Sequence, residues 1–131
     1  MHSWHHTYTS PLYAWNAGYV HPVEIAVALA CQGAFPALAG AHPLSLTAFI
    51  STWLVWLVED HCGSDSVWWS QWHWVPFQWG GGSAPHAVHH APFTTRNYAF
   101  VFGFWDHLFG TFVDPDAFHA AEARRALGKA E

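Results

Sequence analysis

Six of the chain's 12 histidines fall into two copies of one spacing, H-x-x-H-H: His2-Ser3-Trp4-His5-His6 and His86-Ala87-Val88-His89-His90. On a helix, residues i, i+3 and i+4 share a face, so each copy is expected to aim three imidazoles at one point. Two such tridentate faces can hold two metal ions between them. Neutral imidazole suits iron, copper and zinc alike, so the spacing names a metal site without naming the metal. A soluble metal-buffering tract is the weaker alternative, because such tracts are polar and clustered once, whereas these two copies flank a long apolar stretch.

Little else in the chain competes for the chemistry. No Ser or Cys stands in a G-x-S-x-G or similar setting, and there is no G-x-G-x-x-G fingerprint, so hydrolase and nucleotide-cofactor readings fall away. The net charge of -5 with four Lys and Arg excludes a nucleic-acid partner, which needs a basic patch. Cys31 sits in an apolar run and reads as a small hydrophobe. Cys62 adjoins His61 and is either a soft ligand or, with better odds, a packed bystander.

The elements that must position the boxes belong to a chain of 131 residues, the size of one domain. Its charged fraction is 10%, against about 25% in an ordinary soluble protein, and it carries 10 Trp and 10 Phe. Lipid is therefore expected to cover part of the surface. Turn signals stand at Ser10-Pro11 and Asn16-Ala17-Gly18. Residues from Val23 to Ala39 are apolar apart from Glu24 and Gln32, with Pro36 as a kink. A turn at Gly40 to Pro43 leads into a second apolar run from Leu44 to Val58, closed by Glu59 and Asp60. Helices of about 22 to 26 Å would make a hairpin, spanning or partly inserted, that returns both boxes to one aqueous face. Two buried helices of a soluble bundle are the alternative.

Trp53, Trp56, Trp68, Trp69, Trp72, Trp74, Phe77 and Trp79 read as an interfacial belt. Gly80 to Pro85 is a flexible break. Asn97 to Phe112 is expected to be a helix lying in the interface, and the residues from Asp114 onward a solvated helix capped by Asp114 or Asp116. The expected fold is thus all-α: a membrane-embedded helical hairpin, multi-pass in the membrane, with histidine-rich helices on its cytosolic side.

In order, the landmarks His2-x-x-His5-His6, Tyr19-Val20-His21-Pro22-Val23-Glu24, His42-Pro43-Leu44, Glu59-Asp60-His61-x-Gly63-x-Asp65, Val75-Pro76-Phe77, His86-x-x-His89-His90, and Asn97 with Trp105-Asp106-x-x-Phe109-Gly110-Thr111 resemble the catalytic half of the fatty acid hydroxylase and sterol desaturase superfamily. The cholesterol 25-hydroxylase and methylsterol oxidase branch is the nearest. The resemblance implies a hydroxylase-like domain over residues 1–112 and a polar helical tail over residues 113–131. It implies two non-haem iron ions that activate O2, with His2, His5, His6, His61, His86, His89 and His90 as ligands. Asp65, four residues after His61, is the catalytic candidate, a carboxylate ligand or the partner of one.

By the same resemblance the substrate is a sterol or other lipid. Electrons come from an external NAD(P)H-fed reductase chain, often through a small haem protein, and in a eukaryote the site is the endoplasmic reticulum. Desaturation or methyl oxidation within the superfamily, or a non-catalytic metal-binding membrane protein, are the other readings. His21 is as readily a cap as a ligand, and His42 punctuates the turn between the apolar runs. His73, His107 and His119 are surface or interfacial. Asp106 either fixes a ligand imidazole or caps a helix. Two departures stand out: Ser64 replaces an aromatic residue, and the earlier H-x-x-x-H box of the family is absent. The chain is expected to be an incomplete gene product whose site lacks two ligands and is inactive alone.

Overall fold

The computed structural model describes residues 1–9, 11–63, 81–92 and 95–129. Asp65, His73 and most of the tryptophan-rich stretch lie outside these residues. Among the described residues the elements are helical, with no strand: two single 3-10 turns, His2–Thr7 and Ala14–Gly18, then α1 (Pro22–Leu29), a π-turn (Ala30–Ala34), α2 (Phe35–Leu38), α3 (Pro43–Asp60), α4 (Ser83–His90), α5 (Phe104–Phe109) and α6 (Pro115–Leu127).

The hairpin is built by matched starts and a defined stop. Both α1 and α3 begin with His-Pro: His21 and His42 are the N-caps, and each Nδ1 accepts the backbone N–H two residues on, at 3.2 Å. The following Pro sits where a helix has no use for its N–H. Between the arms, Gly40 adopts φ +79. The Gly40 N–H donates to Ala37 O and the Ala41 N–H to Pro36 O, each at 3.0 Å, closing the Schellman turn that a left-handed glycine allows. The first arm is not one regular helix. The Phe35 N–H bonds Ala30 O, five residues back. Pro36 explains the widening, since its ring crowds the carbonyl four residues before it and it brings no N–H to the ladder.

Among the described residues no helix is long and apolar enough to cross a membrane. α3 has 18 residues, but its last two are Glu59 and Asp60, which turn into the protein, at 6% and 0% exposed.

The packing is inverted relative to a water-soluble domain. Among the described residues the buried hydrophobic side chains are Leu12, Ala17, Val88 and Ala91, whereas His5, Asn16, Glu59, Asp60, His61, Ser83, His90, Asn97 and Asp106 are buried polar ones. Val23, Ile25, Val27, Leu29, Phe35, Leu38, Leu44, Phe49, Leu54, Val55 and Val58 stand exposed along the hairpin.

The remaining elements hold α4 in place. α4 packs between α3 and α6, and α6 starts at Asp114, whose side chain accepts the Ala117 N–H at 2.9 Å. Of the expected flexible break, the described part runs from Gly81 to Pro85 and is packed inside the protein. Gly81, Gly82, Ser83 and Pro85 are buried and the helix has already begun at Ser83. A Cβ on Gly81 would lie 2.0 Å from Phe100 O, so only glycine permits this approach.

Nor is Asn97 to Phe112 one helix. Asn97 has φ +49 and is buried. Its Oδ1 accepts the Val113 N–H at 2.7 Å, and its Nδ2 donates to Val113 O and Pro85 O at 3.0 and 3.3 Å. Asp106 accepts the backbone N–H groups of Tyr98 and Ala99 at 2.9 and 2.8 Å and the Thr111 hydroxyl at 2.6 Å. Those side chains take up backbone groups that a helix would need, so the helix is confined to Phe104–Phe109.

Candidate metal centre

Three separate segments deliver seven imidazoles to one place. The first box lies on the opening 3-10 turn, where His2 is exposed, His6 half-buried and His5 buried. His61 caps the C-terminus of α3 and is fully buried. The second box lies on α4, where His86 and His90 are one turn apart and their Nε2 atoms are 3.1 Å from one another.

The seven divide into two groups, and not box by box. His5, His61, His86 and His90 form one, and His2, His6 and His89 the other. Each group takes the i and i+4 histidines of one box and the i+3 histidine of the other. The expectation that each box aims all three imidazoles at one point is corrected accordingly. On α4 a ring at i+3 leaves the helix about 60° round from the ring at i, enough to serve a neighbouring point once the other box faces it.

The hydrogen bonds determine which ring nitrogens carry protons. His61 Nδ1 lies 2.9 Å from Leu57 O, His90 Nδ1 3.1 Å from Tyr8 O, and His5 Nδ1 3.3 Å from Tyr19 O. In the second group His89 Nδ1 lies 3.0 Å from Arg96 O and His2 Nδ1 2.6 Å from Glu24 Oε1. A carbonyl oxygen only accepts, so each facing Nδ1 is the donor, and in the neutral ring Nε2 is a bare lone pair. The capping histidines, His21 and His42, have the opposite tautomer, because their Nδ1 atoms accept. They are thereby separated from the ligand candidates.

The Nε2 atoms of the first group nonetheless meet one another. His5 to His61, His61 to His86, His86 to His90 and His90 to His5 are each 3.1 Å. At least the His5–His61 and His5–His90 contacts set lone pair against lone pair, which is repulsive unless a cation lies among them. Four nitrogens with 3.1 Å edges have, for a planar arrangement, a centre about 2.2 Å from each, close to the roughly 2.0–2.1 Å of a metal–imidazole bond. The residues fit a divalent transition metal. In the second group His6 Nε2 lies 3.0 Å from His2 Nε2 and 3.1 Å from His89 Nε2, the same pattern with three rings.

Burial also keeps the rings neutral. It is the leading cause that pushes His5 and His6 down to about 4 and His90 down to about 3, with the neighbouring imidazoles adding to it. His61 and His89 are lowered, and His86 well below its usual value, again through burial first. Neutral imidazole is the ligating form.

Both groups open on a cavity of about 540 Å3. His2, His5, His61, His86, His89 and Glu24 are polar residues of its lining, and Ile25, Ala28, Leu29, Trp53, Leu54, Leu57 and Phe100 apolar ones. Ile25, Leu29 and Leu54 line this cavity and are also exposed on the hairpin.

Glu24 is the residue that reading the sequence for ligands passed over. Its signal was a lone carboxylate in an apolar run, placed one turn after the His21 cap. Cys62 is exposed and belongs to neither group. His107 stacks on Phe112 at 4.0 Å, and His119 lies 4.0 Å from Glu122. Asp106 holds the backbone of Tyr98 and Ala99 rather than a ligand ring.

Comparison with known proteins agrees with these landmarks. The chain is 39% identical over 113 residues to a cholesterol 25-hydroxylase-like protein of Danio rerio, covering 85% of this chain and 43% of that one. It is 34% identical over 113 residues to methylsterol monooxygenase 2-2 of Arabidopsis thaliana, covering 85% and 41%. It is 35% identical over 116 residues to the very-long-chain aldehyde decarbonylase GL1-11 of Oryza sativa subsp. indica, covering 87% and 42%. The chain thus spans about two fifths of the length of these relatives. No solved structure matches it. The fatty acid hydroxylase model matches residues 1–111, and the chain belongs to that family.

Proposed function

We propose that this protein is a membrane-associated, non-haem di-iron oxygenase that hydroxylates a sterol or another lipid. One observation carries the reading: seven imidazoles, most with the Nδ1 proton committed elsewhere, gather into two groups beside a cavity with largely apolar walls. His5, His61, His86 and His90 would hold one ion, and His2, His6 and His89 the other. Bound iron would supply the activation of dioxygen, one oxygen atom entering a C–H bond as hydroxyl and the other leaving as water, with two electrons and two protons from outside.

The chain's own residues supply position and shielding. The carbonyls of Leu57, Tyr8, Tyr19 and Arg96 and the Glu24 carboxylate fix the ring orientations. Ile25, Leu29, Leu54 and Leu57 keep water from the reacting end and align an apolar substrate. The exposed apolar face of α1 to α3 is large enough to demand lipid cover, and because Ile25, Leu29 and Leu54 belong both to that face and to the cavity, substrate would enter from that side. The electron donor in this reading is an NAD(P)H-fed reductase chain, and in a eukaryotic cell the membrane is that of the endoplasmic reticulum.

Metal analysis of the His5→Ala/His89→Ala double variant tests the assignment, since it removes one imidazole from each group. Iron content should fall steeply, because ligands act as a set. Iron content equal to that of the unaltered protein would refute it.

A further inference from the structure

The segment after the second box contributes no ligand candidate, yet it touches one. The Nδ1 atoms of His5, His61 and His90 face the carbonyls of Tyr19, Leu57 and Tyr8, which all precede that box. His89, in the last turn of α4, differs: its Nδ1 lies 3.0 Å from the carbonyl of Arg96. The Tyr98 ring meets the same imidazole edge to face, with 5.5 Å between centroids.

Two peptide planes joined at the α-carbon of Asn97 fix that carbonyl. The first carries Arg96 O and the Asn97 N–H, and the second carries the Tyr98 N–H. Asp106 grips the second directly, its two carboxylate oxygens accepting the Tyr98 and Ala99 N–H groups at 2.9 and 2.8 Å. It holds the first through Thr111. The Asn97 N–H donates to Thr111 O at 3.1 Å, while the Thr111 hydroxyl donates to Asp106 Oδ1 at 2.6 Å and the Thr111 N–H to Asp106 O at 2.8 Å. The joint itself is set at φ +49 by the Asn97 side chain, which bonds Val113 and, on α4, Pro85 O. Helix and loop are thus registered to each other where His89 needs both.

We propose that Asp106 is a positioning residue for the three-histidine group: through Arg96 O and the Tyr98 ring it sets His89, and so the metal of His2, His6 and His89, without acting on the group of four. This rests on the reading of the histidines as a two-metal centre, and adds that the second ion depends on a carboxylate bonded to no ligand. A carboxylate suits the task because it only accepts, and two N–H groups and a hydroxyl converge on it. An amide in its place would turn its own NH2 against one of those donors. Asp106 is 3% exposed, so water does not replace a lost contact. Once the loop relaxes, His89 loses the acceptor for its Nδ1 proton. The proton then moves freely to Nε2, where it occupies the lone pair that a metal takes.

The His89 tautomer reads this without any metal. Side-chain nitrogen NMR of the metal-free protein in detergent should show His89 protonated at Nδ1 in the unaltered chain and as a mixture of tautomers in Asp106→Asn, with His5, His61 and His90 the same in both. Titration of the ferrous protein with a graded chelator should show the weaker class of site loosened about tenfold in the variant, the lower end of what loss of an outer partner costs, and the stronger class unmoved. Tyr98→Ala removes a ring that is 58% exposed and leaves the clamp in place, so it decides the matter should Asp106→Asn not fold. It should loosen the same class about threefold, the worth of one edge-to-face contact, and Tyr98→Phe should restore it. Equal weakening of both classes, as a purely structural role would give, an unchanged His89 tautomer in Asp106→Asn, or unaltered metal binding in Tyr98→Ala would each overturn the proposal. A tautomer change in a chain that takes up no iron would count against the two-metal reading and leave the positioning role standing.

Discussion

Glu24→Ala should remove one metal ion and spare the other. The carboxylate accepts from His2 Nδ1 at 2.6 Å, shorter than the Nδ1 bonds of His5, His61, His89 and His90 to backbone carbonyls. His2 is also the most exposed of the seven, so little else restrains its ring. Without Glu24 the ring turns freely and its Nε2 becomes less basic. Loss of such an outer partner costs about 10- to 100-fold in metal affinity, or about 1.4 to 2.7 kcal/mol. His5, His61, His86 and His90 are held by backbone carbonyls and by burial, so their group should keep its ion. Titration with a graded iron chelator, read by metal analysis, should show two classes of site, with the weaker shifted 10- to 100-fold in Glu24→Ala and the stronger unmoved. Glu24→Gln, whose Oε1 can still accept from Nδ1, should fall between the two. Equal weakening of both classes, or no shift in either, would refute the division of the histidines between two ions.

Acid should destabilise the metal-free protein within a defined window. His5, His6 and His90 are lowered to about 4, 4 and 3 in the folded state, against about 6.5 in an unfolded chain. Below pH 6.5 the unfolded chain binds more protons, so the contribution of these rings is full above 6.5 and is lost as pH falls towards 4 and 3. Urea midpoints should be level from pH 8 to 7 and decline below 6.5, and a level profile down to pH 4 would contradict the neutral cluster. Asp106→Ala strands the N–H groups of Tyr98 and Ala99 and the Thr111 hydroxyl. It should cost about 3 to 5 kcal/mol in a denaturant titration, and an unchanged midpoint would show that the loop is held by other means.

What could be read directly from the sequence was local. The repeated H-x-x-H-H spacing marked six of the seven imidazoles that come together, because ligand spacing on a helical turn is a property of a few consecutive residues. The two arms of the hairpin, the glycine turn between them and the Asp114 cap were legible for the same reason, whereas Pro36, expected to kink its arm, is preceded by a widened turn. Asn97 to Phe112 was misread as one helix because its aromatic content resembles an interfacial segment, while the side chains of Asn97 and Asp106 that divert its backbone act on partners 16 and 8 residues away.

Tertiary structure alone decided how the histidines are shared. Nothing in either box shows that His5 belongs with His86 and His90 and that His89 belongs with His2 and His6, since this depends on how two helical turns face each other across the end of α3. Nor does sequence show that the carbonyls of Tyr8, Tyr19, Leu57 and Arg96 take the Nδ1 protons, because every residue has a carbonyl and only folding selects which one points at a ring. Glu24 and Gln32 were visible as two polar residues in an apolar run. The role of Glu24 emerged only in the fold, which sets its carboxylate 2.6 Å from His2 Nδ1.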